Sequence, residues 1–114
     1  MLKIAVVSFL LDYIFLSMIK PFSTAMIYKI QGSPLRINYI AAAVVYMIVV
    51  FQIHYFIILQ NASLLHAFLL GSSTYGLFEF TNMSLFKHWN YKLALLDTLW
   101  GGVLYSLTTY IIRI

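Results

Sequence analysis

Asp12, Glu79 and Asp97 are the entire acidic complement of this chain, and each lies within a long apolar run. The seven Lys and Arg residues fall between those runs or at their edges. No base therefore stands beside an acid to neutralise it. Carboxyl groups so placed suit two kinds of chemistry. They can pass a proton or cation along a path, which intramembrane carboxylates commonly mark. Alternatively, they can hold helices in register through hydrogen bonds worth about 0.6 kcal/mol each, up to about 1–2 kcal/mol.

Each acid has polar company at helical spacing. Ser8 precedes Asp12 by four residues. Tyr75, Glu79 and Asn82 follow an i, i+4, i+7 pattern, and Asp97, Trp100, Gly101 and Tyr105 share one face. Asp12, Tyr75, Glu79, Asn82, Asp97 and Trp100 are the expected polar cluster. A charged side chain at bilayer depth costs about 2.5–3.5 kcal/mol, so these groups should face the protein interior. Small residues form a second pattern, with Ala67, Gly71, Ser72 and Gly76 in one run and Thr98, Gly101 and Gly102 in the next. Such residues let helix backbones approach closely, within one chain or between copies in a homo-oligomer.

Other chemistry is poorly provided for. His54 and His66 stand six residues before and six after Gln60, so a tight hairpin would bring them to equal depth. Two imidazoles fall short of the three or four ligands a zinc site needs, and interhelical hydrogen bonds are expected of them instead. Cysteine is absent. There is no Gly-rich phosphate loop, nucleophile elbow or His-Glu-x-x-His helix. The expectation is a protein that is not an enzyme and holds no metal, cofactor or small-molecule substrate. The net charge of +4 comes from bases scattered at segment ends. With no basic stripe, it reads as contact with lipid headgroups and as topology signals, not as nucleic-acid binding.

The elements that must position these residues follow from composition. Hydrophobic residues make up 63% of the 114 and charged residues 9%, against about 45–50% and about 25% in soluble domains. A soluble domain this small could not bury that much apolar surface, so the expected solvent is lipid. An all-α bundle forming a single four-helix transmembrane domain over residues 1–114 is predicted, with spans at 4–19, 39–59, 64–86 and 93–112. The first run begins like a secretory signal, but Asp12 at its centre and Lys20-Pro21 after it favour a retained helix. Beyond it, Pro21 suits a first helical turn and Phe22, Met26 and Ile30 form one stripe. A short interfacial helix is favoured there over continuation of the first helix past a kink, with a turn following at Gln31-Gly32-Ser33-Pro34. Tyr39, Trp89, Tyr91 and Tyr110 fall at span ends, where aromatic belts sit. Loops 20–38 and 87–92 carry Lys20, Lys29, Arg36, Lys87 and Lys92, against Lys3 and Arg113 on the other side, which predicts that those loops are cytoplasmic.

The segments Tyr75-Gly76-Leu77-Phe78-Glu79-Phe80-Thr81-Asn82, Lys87-His88-Trp89 and Leu96-Asp97-Thr98-Leu99-Trp100-Gly101 carry a more specific message. Together they resemble an uncharacterised family of predicted four-span membrane proteins from bacteria and large DNA viruses. Its pattern runs Tyr-Gly-x-Tyr-Asp-x-Thr-Asn, a short loop with Lys and Trp, then Asp-x-x-Trp-Gly. Asp12-Tyr13 resembles the acidic position of that family's first helix. Glu79 stands where the family usually has Asp, and Phe78 where it has Tyr. The resemblance implies four spans around a polar centre and supplies no activity. The leading expectation is a structural or membrane-organising subunit, in a cell membrane or the internal membrane of a virion. The alternative is a small oligomeric proton-coupled transporter or channel.

Overall fold

The computed structural model describes residues 1–33 and 37–114. Arg36 of the expected basic loop and Pro34 of the expected turn lie outside the described residues. Four helices follow one another: α1 (Leu2–Gln31), α2 (Tyr39–Gln52, continued by a π-helical segment Ile53–Ile58), α3 (Leu64–Leu85) and α4 (Tyr91–Arg113). No strand occurs among the described residues.

Side chains set three of the four starts. Asn38 Oδ1 accepts from the Ala41 N–H at 3.1 Å. Ser63 Oγ accepts from His66 N–H at 3.2 Å, and Asn90 Oδ1 from Lys92 N–H at 2.8 Å. Each satisfies a donor that the first helical turn leaves free. α1 ends at Gly32, whose φ of 70° lets its N–H return to the Tyr28 carbonyl.

The separate interfacial helix after residue 20 is not formed. α1 runs unbroken through Pro21 for 30 residues. Proline removes one backbone donor, yet membrane helices tolerate it where other groups satisfy the backbone nearby. Ser17 and Ser23 on either side both bond back to carbonyls four residues earlier, at 2.9 and 3.0 Å. The inward stripe of α1 also continues across the proline. Ile4, Ser8, Asp12 and Phe15 are buried before it and Met26 after it, so packing favours one continuous element. Of the expected second stripe, Phe22 faces outward at 65% exposure while Met26 faces inward at 8%.

α4 is the hub, packing against α3, α1 and the π segment. Its partner α3 lies closest, because glycines meet at the crossing. A Cβ on Gly71 would fall 2.0 Å from the Gly101 carbonyl oxygen, and one on Gly101 2.4 Å from that of Gly71. In α2, the π segment shifts hydrogen bonding to five residues back, as in Leu59 N–H to His54 O at 2.9 Å. Ile53 and Ile57 both stay fully inside.

The distribution of polarity is inverted relative to a soluble protein. Ile40, Leu77, Leu85 and Met47 are all exposed by 70% or more, while Ser8, Asp12, Glu79, Thr108 and Thr109 are buried. Soluble monomers rarely leave such continuous apolar surface open. α1 and the Tyr39–Ile58 helix are long and apolar enough to cross a membrane, and only 17% and 22% of their apolar windows are buried inside the protein. A core helix of a soluble domain would be mostly buried. α3 and α4 have the length, at 22 and 23 residues, but not the same hydropathy, because they carry more polar residues, among them Ser72, Ser73, Thr74, Glu79 and Asn82 in α3 and Asp97, Thr98, Ser106, Thr108 and Thr109 in α4.

Candidate functional site: buried carboxyl groups

Ten of the eleven residues singled out above fall into three arrangements, and Asn82 stands outside them. In the first, Asp12 of α1 receives two donors from two other helices. Tyr46 Oη of α2 donates to Oδ2 at 2.5 Å, and Trp100 Nε1 of α4 donates to Oδ1 at 2.9 Å. Aromatic neighbours brace both donors. Phe15 stacks on Trp100 with ring centroids 4.7 Å apart and planes 11° apart, and Phe9 meets the edge of Tyr46 at 5.4 Å. Phe9 and Phe15 stand three residues before and after Asp12, so one face of α1 presents the acceptor and both braces.

In the second arrangement, Glu79 of α3 and Asp97 of α4 are neighbours across the α3–α4 contact. A bond between two carboxyl groups needs a proton on one of them, since an ionised carboxylate can only accept. Trp89, from the α3–α4 turn, closes over the pair and donates Nε1–H to Glu79 Oε2 at 3.1 Å. Phe78 and Phe86 flank its indole at 6.4 and 6.3 Å. Glu79 is 6% exposed, although it is only six residues from the end of its helix.

The two acidic centres are separate but near. They share α4, whose Trp100 bonds to Asp12 one turn beyond Asp97. Tyr75 meets Tyr105 edge to face at 6.3 Å and joins neither carboxyl by a hydrogen bond among the described residues. Asn82 stands apart, entering only through its backbone carbonyl, which accepts from Phe86 N–H at 2.8 Å.

The third arrangement is the glycine crossing. Gly71, Ser72, Gly76, Gly101 and Gly102 all lie on the α3–α4 contact, where a Cβ on Gly102 would meet Ser72 Oγ at 2.4 Å and one on Gly76 would meet Thr98 Cγ2 at 3.2 Å. These small residues serve a contact inside one chain.

A further polar chain was not anticipated. Tyr105 Oη donates to Gln52 Oε1, Gln52 Nε2 donates to Thr74 Oγ1 at 3.2 Å, and Thr74 bonds back to the Leu70 carbonyl at 2.8 Å. It ties α2 to α4 and α3 at the point where α2 becomes π-helical. Gln52 could have been found, because an amide inside a long apolar run has to meet a partner. Tyr46 and Trp89 gave less warning, since terminal and mid-span aromatics are common in membrane helices.

The histidines do not pair. His66 bonds to Ser63 Oγ at 2.6 Å, within its own helix cap, in place of the interhelical bond expected of it. Among the described residues no three His, Asp or Glu side chains gather as a metal site.

Comparison with known sequences agrees with this inverted polarity. A family model described as "Predicted membrane protein (DUF2177)" matches residues 1–113, so the chain belongs to that family. No curated protein and no solved structure matches the chain.

Proposed function

We propose that this member of the DUF2177 family is a non-enzymatic integral membrane protein that crosses the bilayer four times and serves as a structural or membrane-organising subunit. The observation that carries this reading is the double anchoring of Asp12. Both of its oxygens are taken by donors on other helices, so the carboxyl group acts as a staple between α1, α2 and α4. A carrier of protons or cations needs a group that can change partners, and the aromatic braces on Tyr46 and Trp100 oppose such a change. α3 and α4 complete the four crossings in this reading. They have the required length of about 20 residues, and Glu79, Thr108 and Thr109 are buried inside the protein.

The experiment is reconstitution into liposomes that report proton flux, for the parent and for Glu79→Gln and Asp97→Asn. The structural reading expects no flux in the parent and lowered unfolding resistance in the variants. Flux in the parent that disappears in either variant, with unfolding resistance unchanged, would establish the transport alternative and overturn this one.

A further inference from the structure

The structure places two pairs of lysines from distant parts of the sequence at the same end of the molecule, and nothing in the acidic clusters uses them. The Asn90 backbone N–H meets Met26 Sδ at 3.1 Å, which fixes the α3–α4 turn against the distal third of α1. Lys20 and Lys29 lie six residues before and three after Met26 on that helix. At 1.5 Å rise per residue they are about 9 Å and 4.5 Å from it along the axis. Lys87 and Lys92 lie three residues before and two after Asn90. All four are exposed. The two acids nearest this end, Glu79 and Asp97, are turned towards each other, with Glu79 buried under Trp89, and no ion pair joins either to a lysine among the described residues. At the opposite end of the molecule, Lys3 lies beside Ile111, Ile112 and Ile114, and Arg113 reaches the Ile57 carbonyl at 3.4 Å.

We infer that Lys20, Lys29, Lys87 and Lys92 form a basic rim that binds anionic phospholipid headgroups of one leaflet in preference to zwitterionic ones. The charge is complementary, and its setting fits a lipid partner. Between Lys20 and Lys29 the surface of α1 is a shallow apolar trough with Pro21, Ala25 and Tyr28, which suits the upper part of an acyl chain below a phosphate. A basic side chain near an anionic surface contributes a gain of about fivefold in association. The inference rests on the membrane-protein reading above and adds a lipid specificity to it.

The test uses liposomes of equal phosphatidylcholine and phosphatidylglycerol. The full chain is incorporated and extracted into mild detergent, and the lipid that stays bound is quantified by mass spectrometry. The parent should retain phosphatidylglycerol in several-fold excess at low salt. That excess should collapse at about 1 M salt, where screening acts within about 3 Å. Lys→Gln at all four positions should abolish the excess, Lys→Arg at all four should keep it, and Lys3→Gln should leave it unchanged. Equal retention of the two lipids by an incorporated parent would overturn the rim and leave the proposed function standing. An excess that survives high salt or the four Gln changes would do the same. Failure to incorporate into either lipid would overturn both. The salt dependence needs no variant, so poor folding of the quadruple change does not shelter the idea.

Discussion

Trp100 Nε1 lies 2.9 Å from Asp12 Oδ1, joining residues 88 positions apart, and the same indole lies flat on Phe15, one helical turn beyond Asp12. α1 therefore supplies both the acceptor for this tryptophan and the platform that orients it. A hydrogen bond inside a low-dielectric core is costly to leave unmade, so the pairing sets the register of α1 on α4 as well as adding stability.

Trp100→Phe keeps an aromatic ring on Phe15 and removes the donor. A hydrogen bond contributes about 0.5–1.5 kcal/mol, and up to about 3 kcal/mol where one partner is charged, and the loss should fall within that span. Equilibrium unfolding in detergent and denaturing surfactant measures it. Combined with Asp12→Ala, the two changes should be non-additive by at least about 0.5 kcal/mol. Strict additivity would show that the pair does not interact.

At the glycine crossing the expected order of damage is specific. Gly71→Ala and Gly101→Ala place a methyl within 2.4 Å of backbone oxygen on the facing helix, and a backbone cannot yield as a side-chain tip can. Overpacking of this kind costs about 1–3 kcal/mol or more. Gly76→Ala meets only the Thr98 methyl at 3.2 Å and should be much milder. Equal losses at all three positions would refute the close approach of α3 and α4.

Gln52→Leu removes the acceptor of Tyr105, a residue with no exposed surface. An unpaired buried hydroxyl costs about 1–3 kcal/mol. Adding Tyr105→Phe should recover much of that loss, because both polar partners are then gone. If the double variant is less stable than Gln52→Leu alone by the full effect of Tyr105→Phe, the two side chains are not bonded.

Trp89 shields Glu79 from one side. A lipid-soluble carbodiimide, which reacts with protonated carboxyl groups, should label Glu79 slowly in the parent and several-fold faster in Trp89→Ala. Peptide mapping by mass spectrometry gives the rates. An unchanged rate would mean that the indole does not cover the carboxyl pair.

The absence of cysteine makes single-cysteine topology mapping free of background. With four crossings, Lys87→Cys and Ser33→Cys should react with an impermeant maleimide from one face only, the cytoplasmic one if the excess of basic residues sets the orientation, and Lys3→Cys from the opposite face only. Labelling of Lys3→Cys and Lys87→Cys from the same side would rule out the four-span arrangement.

What could be read in advance and what could not divide along a physical line. Composition alone determined the all-α, lipid-facing class, since 63% hydrophobic residues in 114 exceed what a soluble core can hide. The apolar runs determined where helices stand, while the caps at Asn38, Ser63 and Asn90, though local chemistry, came to light only in the structure. The same local reasoning failed at Pro21, where the packing of Met26 against the α3–α4 turn keeps α1 in one piece.

Helical spacing tells which side chains share a face, but not which face of which helix lies opposite. It grouped Trp100 with Asp97 on α4, whereas the fold turns Trp100 to Asp12 and leaves Asp97 to Glu79. Tyr46, Gln52 and Trp89 became partners only through the order of helices around α4 and their depth relative to one another. Those are relations between residues tens of positions apart. They depend on how four bodies pack at once, with glycines at 71 and 101 setting the closest approach, and no local pattern encodes them.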